Sequence, residues 1–196
     1  PFFLNSNFIT DAGRQQLHKD SEWNKLIFSK IPSEFLTWMK ELSTTHKNYW
    51  EVLPEKSYGR GNSLEAIYAD QMEAAINEIA FIPSLQDASR KVLVSEAFMD
   101  RMRIAEAISV DALVGHINRT YLHSFAAKNQ ISNVWKGSKI LQSYGVFIFD
   151  KQKLKGLFED KQAFENISFE LDVKLINYLF DYYLQRYTFI WKAYRR

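Results

Sequence analysis

The sequence predicts an all-α fold, a single multi-helix bundle of six to eight helices with at most one short extended segment, near residues 146–149. Three observations carry that expectation. Seven Gly and four Pro in 196 residues leave few turn formers, so helices should be long and connections short. Apolar residues recur at spacings of three and four along most of the chain, and capping residues precede several of these runs. No cysteine is present, so stability must come from a core, which at this length buries roughly 70% of the unfolded surface, rather than from disulfides or thiolate-bound metal.

Residues 1–31 read as an extended arm followed by a short helix, with Thr10 as N-cap ahead of Asp11–Leu17. From Pro32 the residues Phe35, Leu36, Trp38, Met39 and Leu42 form an amphipathic stripe that extends toward a stop at Pro54. Asn62-x-x-Glu65 has the spacing of a capping box and predicts a helix from Ser63, whose apolar positions run to Pro83. Ser84 and Asp87 offer another cap. The run from Val92 to Leu122 reads as two helices, broken between Ser89 and Asp100 or near Ser109.

A shorter helix through Trp135, Ile140 and Leu141 should end at Gly145, which can supply a positive φ. Val146–Phe149 has the composition of a strand, but nothing local pairs with it, so it reads as a buried loop. Lys151–Phe164 again shows helical spacing. No linker, repeat or low-complexity tract interrupts residues 1–196, which therefore read as one domain.

The segment 168–196 predicts a long apolar carboxyl-terminal helix. Its polar residues form one narrow stripe, while Leu171, Leu175, Leu179, Tyr182 and Ile190 are placed to face one neighbour. Phe169, Val173, Ile176, Phe180, Tyr183 and Tyr187 fall elsewhere around the cylinder. Such a helix is central to a bundle, or packs its own domain on one side and a partner on another. Near its end, Tyr187, Trp191, Lys192, Tyr194 and Arg195 interleave rings and cations, as a partner-binding surface would, including one that stacks on nucleic-acid bases. Cations at a helix carboxyl end also complement the macrodipole without any ligand.

The most reactive cluster lies between Asp111 and His123. On a helix His116, Arg119, Thr120 and His123 share one face. Two imidazoles flanking a guanidinium could supply acid, base and anion stabilisation, so His116, Arg119 and His123 are the candidate catalytic residues. Arg119-Thr120-Tyr121-Leu122-His123 is similar to the Arg-x(4–6)-His signature of the HEPN family of helical ribonucleases, although three residues, not four to six, separate its ends. The resemblance implies metal-independent RNA cleavage at Arg119 and His123. Tyr58-Gly59-Arg60-Gly61, with Asp70 and the Arg103–Asp111 segment, is similar to the elimination domain of lanthipeptide dehydratases, though that family's Arg-Tyr-Gly-Gly is not reproduced.

Other chemistry finds no motif. The Gly59/Gly61 loop lacks the strand and the Gly-Lys-Ser/Thr of a phosphate cradle, and no Gly-x-Ser-x-Gly marks a nucleophile. The Glu-x-x-His pair of a bundle metal site is missing. The net charge of +2 neither requires nor excludes a polyanion. Pro1–Asn7 lacks the basic region of a secretory signal, and no window reaches the roughly 20 apolar residues of a bilayer crossing.

The expectation is thus a cytoplasmic helical adaptor or regulator, with no cofactor, metal or membrane, acting through its last helix on a protein partner or a second copy. The alternatives are a HEPN-like ribonuclease or other phosphoryl-transfer enzyme, and a nucleic-acid binder without catalysis.

Overall fold

In the computed structural model, which describes residues 6–46, 48–56, 63–85, 87, 89–121, 129–130, 138–165 and 168–194, the chain is mostly helical. The side chains of 129–130, 138 and 183–194 fall outside that description. Two small sheets accompany the helices, so the purely α expectation is corrected to a mostly helical fold with short strands. The chain divides into two units, one formed by Pro1–Met99 and Asn129–Ile148, the other by Asp100–Lys128 and Phe149–Arg196.

In the first unit, residues 11–17 form a turn closed by a bridge between Thr10 and Leu17, where a short helix was expected. The carboxylate of Asp11 accepts the N–H groups of Gln15 and Gln16, an Asx-type competition with helix formation. Helix α1 (Glu22–Thr45) starts instead at Ser21, whose hydroxyl accepts the Asn24 N–H. Asn24 is fully buried and fastens the preceding chain, accepting from Ile9 N–H and donating to the carbonyls of Ile9 and His18.

Pro32, expected to open a helix, lies inside α1. Interior proline costs about 3 kcal/mol, and the helix persists because Pro32 shares its buried face with Ile31, Phe35, Leu36 and Met39, which packs against α2. Trp38, assigned to that face by spacing, is instead exposed.

Helix α2 (Leu64–Glu78) begins at Ser63, which caps it through the Ala66 N–H; Asn62 lies outside the described residues. The helix stops before Pro83 because β1 (Ile82–Pro83) pairs antiparallel with β2 (Lys91–Val92). A second surprise is β3 (Ala97–Asp100), buried at all four positions and read as helical from sequence. It pairs in parallel with β4 (Asn129–Gln130), and the sheet order is β4-β3-β5 with β5 (Phe147–Phe149). The expected loop at 146–149 is therefore largely strand.

Helix α5 (Ser138–Ser143) ends as predicted at Gly145, with φ of 107°. Val146 N–H bonds the Leu141 carbonyl and Gly145 N–H that of Gln142, the two bonds of a Schellman motif. Leu141 and Val146 then join Leu36, Met39, Ile76 and Val92 in the core of this unit.

The second unit holds α3 (Ala105–Ile108), α4 (Val110–Thr120), α6 (Lys151–Glu159) and α7 (Phe169–Tyr194). Asp100, fully buried, accepts the N–H groups of Met102 and Ala105 and so holds the turn into α3. The break expected near Ser109 is present: Ser109 has φ of 96° and caps α4 through the Ala112 N–H. The α6 pattern ends at Asp160, beyond which Lys161–Phe164 form a 3-10 turn. No helix of the described residues is long and apolar enough to cross a membrane.

Candidate functional site

Helix α4 presents Leu113, His116 and Ile117 inward at the i, i+3, i+4 spacing, so the imidazole follows the same apolar stripe as its neighbours. His116 is fully buried, with the rings of Tyr121 and Phe149 each edge-on at 6.2 Å. Its Nδ1 lies 2.8 Å from Asp160 Oδ2, and since a carboxylate only accepts, Nδ1 carries the hydrogen. Thr120 Oγ1 stands 3.3 Å from the same nitrogen.

Arg119 reaches the same carboxylate oxygen, donating from Nη2 at 2.7 Å and from Nε at 3.3 Å. Gly115 leaves room for it, because a Cβ there would come within 3.1 Å of Arg119 Nη1. The other carboxylate oxygen accepts the Gln162 N–H and caps the 3-10 turn. Burial alone would raise the Asp160 pKa, but the hydrogen bonds from His116 and Arg119 together outweigh it and hold the group below its ordinary value. The structure brings His116 and Arg119 onto one carboxylate oxygen, that of Asp160, a common partner 44 residues along from His116 that the sequence did not reveal.

An imidazole oriented by a carboxylate is half of a nucleophile-activating relay. Here the other ring nitrogen, Nε2, is buried without a hydrogen-bond partner among the described residues, and the guanidinium is already committed to Asp160. What the arrangement does is fasten α4 to the junction after α6. His123 lies outside the described residues. No three His, Cys, Asp or Glu side chains among the described residues come together as a metal site.

The other candidate surface is α7. Its first turn begins at Ser168, whose Oγ accepts the Leu171 N–H, and Glu170 pairs with Lys174 at 2.7 Å. One face is half-buried, at Leu171, Leu175, Tyr178, Leu179 and Tyr182. Tyr178 donates its hydroxyl to the Met102 carbonyl at 2.9 Å, and α7 packs along α3 on this side. Phe169, Val173, Ile176 and Phe180 remain 83%, 41%, 66% and 63% exposed. These fall at i, i+4, i+7 and i+11, one continuous apolar strip in water.

Of the predicted partner-binding residues, Tyr187, Trp191, Lys192 and Tyr194 lie on the α7 backbone with side chains outside the described set, and Arg195 lies outside it altogether. A smaller exposed apolar set, Trp23, Leu26 and Trp38, lies on α1 in the first unit. No family model matches the chain, and neither characterised proteins nor solved structures give a significant match.

Proposed function

We propose that this protein is a helical binding module, an adaptor or regulator, whose contact surface is the outward face of α7. The observation that supports this reading is the exposure of Phe169, Val173, Ile176 and Phe180 on a helix already anchored by its opposite face. Isolated apolar side chains on a surface are ordinary, but a contiguous strip of four large ones costs hydration free energy unless something covers it. Each such side chain gains roughly 1.5–3 kcal/mol on full burial, so covering the strip is a strong driving force for association.

The ribonuclease and phosphoryl-transfer reading has less support, because His116 is enclosed and Arg119 is engaged with Asp160. Affinity enrichment from an extract of the source cells tests the proposal. Wild-type protein should retain proteins, further copies of the chain included, that an Ile176→Glu/Phe180→Glu variant of unchanged circular dichroism does not. Identical sets retained by both would contradict it.

A further inference from the structure

The first unit holds a cavity of about 20 Å³ between α2, the end of α5 and the segment that follows Leu53. Tyr68, Met72 and Glu73 line it from α2, Tyr144 from just beyond α5, and Glu55 and Lys56 from the connecting segment. Buried Met72 and Tyr144 mark its inner side, and exposed Glu55 and Glu73 its solvent side.

Two polar contacts fasten these walls. The Tyr144 hydroxyl donates to the Pro54 carbonyl at 2.8 Å, and Lys56 Nζ pairs with Glu73 Oε1 at 2.9 Å, so residues 54–56 are tied both to the end of α5 and to α2. One group stands apart from this network. The hydroxyl oxygen of Tyr68 is buried and has no hydrogen-bond partner among the described residues, although a phenol can both donate and accept. Folded proteins nearly always satisfy such a group, because leaving it unbonded costs its full desolvation.

The surroundings define what can satisfy it. Tyr144 is near enough for the Tyr68 phenol to contribute to the rise of its pKa, which burial chiefly pushes up to about 12. The O–H of Tyr144 is engaged with Pro54, however, and the two phenols make no bond to each other. A mediator must therefore bond Tyr68 and also reach the lone pairs of Tyr144 or the carboxylate of Glu73. An added cation would meet the Lys56 ammonium already paired with Glu73, which favours a neutral ligand. Size narrows the choice further. A bound water needs about 10–15 Å³ of space and two to four polar partners, and the cavity supplies both.

We propose that this cavity is a binding site for one ordered water molecule, which hydrogen-bonds the Tyr68 hydroxyl and bridges α2 to Tyr144. Through Tyr144 and its bond to Pro54, the same water braces residues 54–56. The site belongs to the first unit, and it is independent of the reading of α7 as a contact surface.

Tyr68→Phe tests this by sign, since the change removes only the hydroxyl. If the hydroxyl bonds a water, its loss should lower the folding equilibrium constant about two- to tenfold, measured by urea unfolding. If the hydroxyl is unbonded, its removal should leave that constant unchanged or raise it, and either result overturns the proposal. A high-resolution crystal structure supplies the second readout. Wild-type protein should show one water within about 3.2 Å of Tyr68 Oη, and the Tyr68→Phe protein should show it lost or displaced. A Tyr68 hydroxyl bonded directly to a protein group, or with no water in reach, overturns the proposal whatever the stability change.

Discussion

His116 in α4 and Asp160 at the end of α6 meet at 2.8 Å across 44 residues of sequence, with Arg119 donating to the same carboxylate oxygen. The pair joins two helices that share no local signal, and it does so with a histidine withdrawn from solvent. Its two arms contribute unequally. Removing Asp160 leaves the buried ring N–H only the more distant Thr120 Oγ1, at 3.3 Å, as acceptor, whereas the Arg119 side chain is 40% exposed and its ion pair is screened by water.

Asp160→Ala should therefore cost about 2–3 kcal/mol and Arg119→Ala less than about 1 kcal/mol, measured by urea unfolding. Equal costs would mean that the guanidinium, not the imidazole, carries the clamp.

Asp160 and Asp100, both in the second unit, give opposite pH dependences. Asp160 has a folded pKa below its unfolded value, so its stabilisation is present above about pH 4 and is lost as the pH falls further. Asp100 is the reverse case: burial outweighs the N–H groups of Ala105 and Met102 and pushes its pKa up to about 6. The folded state then binds the proton more tightly than the unfolded chain, and stability declines as the pH rises from about 4 to about 6, by up to roughly 3 kcal/mol. Denaturation midpoints across pH 3–7 should show both slopes, and Asp100→Asn should flatten only the upper one. A wild-type profile flat between pH 4 and 6 would contradict this account of Asp100.

Ser109 adopts φ of 96° and ψ of 152°, a region that glycine occupies without strain and other residues rarely enter. Its hydroxyl also caps α4. Relief of strain of about 1–3 kcal/mol competes with a few tenths for the lost cap and up to about 1 kcal/mol for the freer unfolded chain. Ser109→Gly should thus raise stability by about 1 kcal/mol, while Ser109→Ala, which keeps the strain and loses the cap, should lower it by about as much. Thermal unfolding of the two variants distinguishes them by sign.

What could be read from the sequence were the features set within a turn or two of helix. Ser63 starting α2, the break at Ser109, Gly145 closing α5 and the span of α7 all follow from caps, positive φ and periodicity. The division of α7 into a half-buried face with Leu171 and Leu175 and another with Phe169 and Ile176 was equally legible. What could not be read depended on distant partners. Ala97–Asp100 carries no strand alternation because all four residues are buried, and one partner strand lies about thirty residues on. Pro32 persists in α1 through packing that propensity does not register. Asp160 looked like one charge among several in 151–164, because nothing local marks it as the acceptor for His116.

A binding role for α7 requires that Phe169, Val173, Ile176 and Phe180 face protein rather than water. Thiol labelling answers this directly, since Ile176→Cys and Lys174→Cys each place a single thiol in a cysteine-free chain, the first in the strip and the second beside it. In assembled protein the thiol at position 176 should react with maleimide at least about tenfold more slowly than the one at 174, with the rates converging on unfolding or high dilution. Equal rates at every concentration, and in cell extract, would show the strip facing water and contradict the account.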